Sequence, residues 1–349
     1  MKNRLHASTL VLLLAAALSP GAARTEESTP QSQPALAPAS AAPEAAPPTP
    51  PAEEPALYAV PTSKDRVGRV LAPVMINGQG PFRFIVDTGA NRSAVSPRVV
   101  AKLGLDARVA QPMDVHGVTG TAELPAVEFE SFRAGDIDLG RTRVPVLSES
   151  VFAGADGILG VDGLQHTRIE VDFTADRVNV TRSTGTRARS GFMTVPARLE
   201  HGGLLLVAGK VGRQKAQVII DTGAGYSLGN LPLRDALLRG GAKQREVSEA
   251  TVIGATPDVR PGTTFLAPPV VIGGMKLSNL RITFGDLHVF EVWQLTDEPA
   301  LLIGMDMLGR LERFVVDYGR EEFQLKLRKS KDFVYDNCIL GCGTRVPSD

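Results

Sequence analysis

One short sequence occurs twice in this chain, and its repetition constrains the fold more than any other feature. Residues 82–90 read Phe-Arg-Phe-Ile-Val-Asp-Thr-Gly-Ala, and residues 216–224 read Ala-Gln-Val-Ile-Ile-Asp-Thr-Gly-Ala, so that Asp87 and Asp221 are offset by 134 residues (221 − 87). Each run of apolar and β-branched residues predicts a buried strand that ends at the Asp-Thr-Gly sequence. The repetition predicts two similar structural units in one chain.

Further landmarks follow the two motifs in the same order. Ser96 and Asn230 each stand nine residues after the aspartate and are followed within two residues by proline, which predicts a short helix capped by that Ser or Asn. The remaining landmarks are an apolar-apolar-Gly sequence at 158–160 and 302–304 and a closing strand at 177–181 and 323–327. This shared order extends the predicted duplication over most of the chain.

Composition limits the classes of function. Lys plus Arg and Asp plus Glu both number 38, so the formal net charge is zero and no global field attracts nucleic acid or anionic lipid. The 35 Gly and 25 Pro in 349 residues favour many short strands joined by turns. We therefore expect an all-β protein that does not bind nucleic acid.

The chain divides into five predicted segments. Residues 1–23 have the charge and apolar pattern of an export signal, which predicts a periplasmic or secreted protein; an uncleaved anchor is the alternative and would be its one link to a membrane. Residues 24–56 form a tether rich in Pro and Ala. Two lobes follow at 57–184 and 191–328, and a tail at 329–349 carries Cys338 and Cys342, a predicted local clip without an assigned function.

The repeated motif places a carboxylate at the end of a buried strand in each unit. An ordinary strand-to-turn transition would also explain Asp followed by Gly, since duplication copies structural turns too. Burial of an ionised group is costly without a partner or a purpose, however, and this favours a functional site.

These residues resemble the aspartic peptidases of the retropepsin and pepsin type, and in particular bacterial exported proteins with two retropepsin-like units in one chain. The resemblance covers residues 61–327, and it implies an all-β fold of two pseudo-symmetric β-barrel lobes with a cleft between them. Each lobe would carry one short helix after its Asp-Thr-Gly loop.

The resemblance also implies roles for individual residues. Asp87 and Asp221 would be the catalytic pair, with a water between them and no cofactor or metal, acting on a polypeptide in extended conformation. The loops that support them would contain Thr88, Gly89, Ala90, Thr222, Gly223 and Ala224, with Gly160 and Gly304 beneath. The flaps that cover substrate would contain His116, Gly117, Gly120 and Gly254.

Two other functions stay open at this point. One is an exported protein that binds peptides in the same cleft without cleaving them. The other is self-processing, in which the tether around residues 51–58 is a propeptide.

The alanines that end the two motifs predict a pH preference. Many relatives that work in acid carry Ser or Thr at the positions of Ala90 and Ala224, where a hydroxyl would favour the ionised carboxylate. Its absence predicts raised pKa values for the pair and a working optimum nearer neutral pH.

Some side chains receive a structural interpretation. Asp162 and Asp306 precede predicted helical turns and are interpreted as N-caps. Ser227 lies in a Gly-x-Ser-x-Gly sequence typical of serine hydrolases, but the chain lacks the alternating strands and long helices of that fold, so the serine is interpreted as structural. For His116, a solvated position at the hairpin is favoured over contact with substrate.

Overall fold

The computed structural model describes residues 68–135, 137–239 and 247–328, with the backbone of short strands at 10–12, 16–17 and 60–61. The predicted tether, nearly all of the predicted export signal, and the tail with Cys338 and Cys342 lie outside these residues. Within the described part, no helix combines the length and apolar character needed to cross a membrane.

The first half consists of short strands with little helix. Its strands, after β1 (Leu10–Leu12) and β2 (Ala16–Ala17), are β3 (Val60–Pro61), β4 (Leu71–Ile76), β5 (Gln79–Val86), β6 (Ala94–Val95), β7 (Met113–Gly117), β8 (Thr121–Leu124), β9 (Ala126–Phe129), β10 (Phe132–Ala134), β11 (Ile137–Asp138), β12 (Thr142–Pro145), β13 (Gly157–Leu159), β14 (Thr167–Asp172) and β15 (Arg177–Arg182). Its helices are α1 (Pro97–Lys102), α2 (Glu149–Phe152) and a 3-10 turn at Val161–Gly163.

The second half follows a similar order. Its strands are β16 (Met193–Glu200), β17 (Leu204–Val211), β18 (Gln214–Ile220), β19 (Leu228–Gly229), β20 (Ser248–Ile253), β21 (Val259–Ala267), β22 (Val270–Ile272), β23 (Met275–Leu277), β24 (Leu280–Phe284), β25 (Ala300–Ile303), β26 (Leu311–Asp317) and β27 (Glu322–Leu327). Its helices are α3 (Leu231–Arg239), α4 (His288–Val292) and α5 (Met305–Leu308).

The two short helices after the Asp-Thr-Gly motifs begin where the sequence predicts. The Ser96 side chain accepts a hydrogen bond from the Val99 amide at the start of α1. Asn230 Oδ1 accepts from the Leu233 amide at 3.0 Å at the start of α3. Both contacts satisfy amides that have no partner within their own helix, so the capping prediction is confirmed.

The hairpin of β4 and β5 leads into the first motif. Asn77 and Gly78 connect its strands with φ of 49° and 72°, which are the left-handed conformations that a two-residue type I′ turn requires. The turn fixes the register, so that Phe82, Phe84 and Val86 point alternately into the core. Val86, the last residue of the strand, thus lies in the hydrophobic core.

A shared sheet joins the two halves. Strands run in the order β16-β27-β26-β14-β15-β3, and the antiparallel pair of β14 and β26 connects Glu170 with Val315 across the boundary. The run of strands from β20 to β17 continues this sheet through the pairing of β17 with β16, and a separate sheet has the order β11-β10-β4-β5-β13-β6. The prediction of an all-β fold with two lobes is confirmed.

The hydrophobic core is continuous through the shared sheet. One cluster of buried side chains contains Phe84 and Phe132 of the first half and Phe284 and Phe314 of the second. Burial of such large side chains on both sides of the boundary stabilises the lobes against each other, since each contributes about 1.5–3 kcal/mol. The residues at the boundary between the lobes are therefore anchored to one continuous hydrophobic core.

Candidate functional site

Each motif aspartate stands at the end of a central strand. β13 runs parallel to β5 and β25 runs parallel to β18. The Asp87 amide donates to the carbonyl of Leu159 at 3.0 Å, and the Asp221 amide donates to the carbonyl of Ile303 at 3.0 Å. The parallel neighbours therefore fix the backbone at which both side chains begin.

Both aspartates are completely buried, with 0% exposure. Asp87 Oδ1 accepts from the Gly89 amide at 2.9 Å, and Asp221 Oδ1 accepts from the amides of Gly223 and Ala224 at 2.8 and 3.0 Å. In each side chain Oδ2 has no hydrogen-bond partner among the described residues. One oxygen of each carboxyl group is thus held by its own loop, and the other is available for a further hydrogen bond.

The two loops face each other across the boundary between the lobes. A Cβ atom on Gly89 would overlap the Asp221 carboxyl group, and a Cβ atom on Gly223 would overlap the Asp87 carboxyl group. Only glycine leaves room at these two positions, since any side chain would displace the carboxyl group opposite. The predicted closeness of the loops follows from this reciprocal packing.

Two threonines bind the loops together. The Thr88 amide donates to Thr222 Oγ1 at 3.1 Å, and the Thr222 amide donates to Thr88 Oγ1 at the same distance. Each hydroxyl then donates to a carbonyl of the other half, Thr88 to Ile220 at 2.7 Å and Thr222 to Val86 at 2.6 Å. This closed set of buried hydrogen bonds fixes both loops.

Gly160 and Gly304 lie against the backbone that follows each motif. A Cβ atom on Gly304 would lie 2.8 Å from the carbonyl oxygens of Ala224 and Tyr226, and one on Gly160 would overlap the backbone of Arg92. Since backbone atoms cannot move aside as a flexible side chain can, both positions exclude larger residues. Both glycines thus lie in close contact with the backbone that follows the motif of their own half.

A serine and an aspartate complete the support in each half. Ser93 Oγ donates to Asp162 at 2.8 Å and accepts from the Gly160 amide at 3.1 Å. Ser227 Oγ donates to Asp306 at 2.7 Å and accepts from the Gly304 amide at 3.1 Å. Ser93 and Ser227 recur at the 134-residue offset of the two motifs, and this recurrence is the sequence signal that could have indicated the pairing.

The interpretation of Asp162 and Asp306 as N-caps is wrong. The N-cap positions of the 3-10 turn and of α5 are Gly160 and Gly304, and neither turn has a side-chain cap. Both aspartates instead hold serines from a distant part of the chain. Ser227, which bonds to Asp306, has the structural role that was predicted for it.

Burial dominates the electrostatics of the motif aspartates. It raises the pKa of Asp87 from 3.8 to about 7, against the lowering effects of the Gly89 amide and the Arg69 charge. Burial, and after it the charge of Asp87, raise the pKa of Asp221 well above 3.8. The direction agrees with the sequence-based prediction, but desolvation and not a missing hydroxyl is the largest cause.

The predicted flaps meet over the boundary between the lobes. Residues 117–120 join β7 to β8, residues 254–258 join β20 to β21, and Thr119 Oγ1 lies 3.2 Å from Thr256 Oγ1. Val118 packs with the second-half side chains Leu287 and Trp293, and Ala255 packs with a cluster of the first half. Each flap tip is thus buried against the opposite lobe.

Three glycines make this contact possible. A Cβ atom on Gly117 would lie 3.1 Å from Thr256 Cγ2, one on Gly254 would lie 2.9 Å from Thr119 Oγ1, and one on Gly120 would overlap the Asp258 carboxyl group. Arg260 adds a hydrogen bond from Nε to the carbonyl of Thr119 at 2.9 Å. The two predicted flaps therefore pack closely against each other.

His116 contacts the second lobe. Its Nδ1 lies 2.8 Å from Thr121 Oγ1, which lies 2.8 Å from His288 Nε2 at the start of α4. The two imidazole rings stack with centroids 5.8 Å apart. Burial and the neighbouring His288 lower the pKa of His116, so the ring is neutral near pH 7. His116 thus belongs to the contact between the first flap and α4.

Among the described residues, no group of three or more His, Cys, Asp or Glu side chains is placed to hold a metal ion. The facing loops bring two buried carboxyl groups close together.

Comparison with known protein families gives a match for one part of the chain. Residues 72–163 match a family model described as aspartyl protease, and the match contains Asp87, the first flap and Gly160. A search of the curated proteins found no match. Residues 72–163 are thus similar to the aspartyl protease family.

Proposed function

We propose that this protein is an aspartic endopeptidase in which Asp87 and Asp221 together activate one water molecule. The observation that carries the proposal is the reciprocal packing of the two buried carboxyl groups, each against the glycine of the opposite loop. A protease-type function is supported by the family match, and the pair is the arrangement that such chemistry needs.

The mechanism follows from two acids in one buried site. Two negative charges at short range repel, so one proton is retained by the pair and the apparent pKa values separate. The ionised carboxylate takes a proton from the water as its oxygen attacks the peptide carbonyl carbon, while the protonated carboxyl donates to the carbonyl oxygen. The tetrahedral intermediate then loses the amine after proton transfer to nitrogen, giving a carboxylic acid and an amine.

The substrate would be a polypeptide segment in extended conformation. The flap strands offer backbone edges for such a segment. The backbone of Leu10–Leu12 adds parallel to β7, and that of Ala16–Ala17 adds antiparallel to β20. Strand addition of this kind supplies backbone hydrogen bonds whatever the side chains of the peptide are. The closed flaps would have to separate for entry, since their tips are buried against each other.

The cellular setting belongs to the same proposal. We infer an exported, periplasmic or secreted enzyme, with residues 1–23 as a signal segment, 24–56 as a tether and lobes at 57–184 and 191–328. The composition of the first 56 residues supports this assignment.

The proposal is tested by incubating the purified protein with a diverse mixture of peptides and identifying the products by mass spectrometry. Cleavage of internal peptide bonds by the wild type, absent from an Asp87→Asn/Asp221→Asn double variant prepared in the same way, is the expected result. Equal cleavage by both proteins would overturn it. Peptides that co-purify with the wild type but stay intact would establish the peptide-binding alternative.

The pH dependence of cleavage is expected to be bell-shaped with a maximum near neutral pH. The reaction needs one ionised and one protonated carboxyl group. Because the pKa of Asp87 is about 7 and that of Asp221 is also raised, both groups are protonated in acid and activity falls there. Initial rates with one peptide substrate across the pH range check this. A maximum well below about pH 4, the range of unperturbed carboxyl groups, would contradict it.

A further inference from the structure

A buried arginine lies beside the catalytic pair, and no sequence motif pointed to it. Arg69 is only 1% exposed. Its Nη2 donates to the carbonyl of Val151 at 3.2 Å, and its Nη1 donates to the carbonyl of Gly223 at 3.5 Å. Removal of a guanidinium group from water is costly unless its hydrogen bonds and charge are compensated. The Arg69 charge is thus held inside the molecule, next to the loop that contains Gly223.

The geometry brings Arg69 to Asp87. The carbonyl of the next residue, Val70, accepts a hydrogen bond from the Val86 amide at 2.9 Å. Arg69 precedes Val70 and Asp87 follows Val86, so Arg69 and Asp87 lie next to each other across the two strands. Gly223, whose carbonyl accepts from Arg69, packs directly against the Asp87 carboxyl group. The Arg69 charge is accordingly one of the causes that lower the pKa of Asp87.

Among the described residues, the second half places no charged side chain at the equivalent position. Leu206 pairs with Ile219 in the second half as Leu71 pairs with Ile85 in the first, so the position of Arg69 is taken by Leu204, a buried apolar residue. The pKa of Asp221 is raised by burial and by the charge of Asp87, and no cation is among the causes that act on it. The two carboxyl groups thus occupy matching loops in unequal electrostatic surroundings.

The other titratable groups that face the pair do not remove this difference. Tyr318 is buried near both carboxyl groups, and its own pKa is raised by burial and by their charges, so its hydroxyl stays neutral. The hydrogen bonds that the described residues donate to the two carboxyl groups come from backbone amides of their own loops, Gly89 for Asp87 and Gly223 and Ala224 for Asp221.

We propose that Arg69 is a positioning residue that makes the pair unequal, so that Asp87 is the ionised member that accepts the proton from water and Asp221 the protonated member that donates to the peptide carbonyl oxygen. This inference rests on the proposed function for its chemical meaning. The charge difference itself exists whether or not peptides are cleaved, and it can be measured separately.

The test is an NMR titration of carboxyl-labelled aspartate in two backgrounds that each leave one member of the pair. Asp221→Asn isolates Asp87, and Asp87→Asn isolates Asp221. The expected result is that Asp87 titrates at lower pH than Asp221. Adding Arg69→Gln should raise the pKa of Asp87 by about one unit or more, the usual effect of a nearby opposite charge, and that of Asp221 by less than half as much.

Arg69→Lys is the matched control, because lysine keeps the charge but cannot reach both carbonyls. A purely structural role predicts that Lys and Gln change the pKa of Asp87 alike, whereas the proposal predicts that Lys keeps the pKa of Asp87 below that of Asp221. Equal shifts of both aspartates in Arg69→Gln, or an Asp87 that titrates above Asp221, would overturn the assignment. If Arg69→Gln does not fold, the two single backgrounds still test the order of titration, and Arg69→Lys tests the contribution of the charge.

Failure of this inference is distinguishable from failure of the proposed function. A protein that cleaves no peptide but shows the predicted order of titration would retain the charge asymmetry without the enzyme. A protein that cleaves peptides with the opposite order would be an aspartic peptidase with Asp221 as the base.

Discussion

Replacement of either Asp87 or Asp221 alone by asparagine is expected to lower kcat for peptide cleavage by about 10³-fold or more, in line with the loss of an acid or base catalyst. Asparagine keeps the shape of the side chain and can still accept from the loop amide, as Oδ1 of Asp87 does from Gly89. It cannot accept a proton from water or donate one to a carbonyl oxygen. Steady-state kinetics with one peptide substrate near the optimum pH measures the effect.

Stability is the control that separates chemistry from misfolding. Since the folded pKa of Asp87 is raised from 3.8 to about 7, its contribution to stability is present below pH 3.8 and is lost as the pH rises to about 7. Asparagine has no such dependence, so the variants should unfold at the same or higher temperature than the wild type near pH 7. Variants that lose activity together with thermal stability would contradict a catalytic role for these side chains.

Thr222→Val is expected to cost about 2–4 kcal/mol of the free energy of unfolding and to reduce cleavage with it. Valine has the shape of threonine but removes Oγ1, which donates to the Val86 carbonyl at 2.6 Å and accepts from the Thr88 amide at 3.1 Å. Both groups are buried, and each one left without a partner costs about 1–3 kcal/mol. Chemical denaturation followed by circular dichroism measures the loss.

Thr222→Ser and Thr184→Val are the matched controls for this prediction. Serine keeps the hydroxyl, so Thr222→Ser should retain most of the stability. Thr184 makes an exposed hydrogen bond to Thr186, so its replacement by valine should change the unfolding free energy by no more than about 0.5 kcal/mol. A Thr222→Val protein as stable as Thr184→Val would exclude the threonine contact as a support of the site.

Local features of the fold could be predicted because their causes lie within a few residues. Ser96 and Asn230 cap the helices that follow them, since a cap needs only its own side chain and the next amides. The apolar runs before Asp87 and Asp221 form the strands expected of them. Such patterns depend on backbone geometry that neighbouring residues determine.

The supports of the site were harder to predict because their partners are far apart in sequence. Asp162 bonds to Ser93 across 69 residues, and the local interpretation as an N-cap failed for that reason. Arg69 lies before a strand without any motif, and its contact with Gly223 spans 154 residues. Neither contact leaves a signal in the nearby sequence.

By itself, the sequence determined that the chain is rich in strands, that a repeated Asp-Thr-Gly follows two of them, and that glycine is present at each crowded position, because these follow from periodicity and repetition along the chain. Only the tertiary structure decided that the two loops face each other, that each flap tip is buried against the other lobe, and that the buried Arg69 lies close to Asp87. These features depend on how the shared sheet brings the halves together, and burial and charge at the pair arise only after that contact is made.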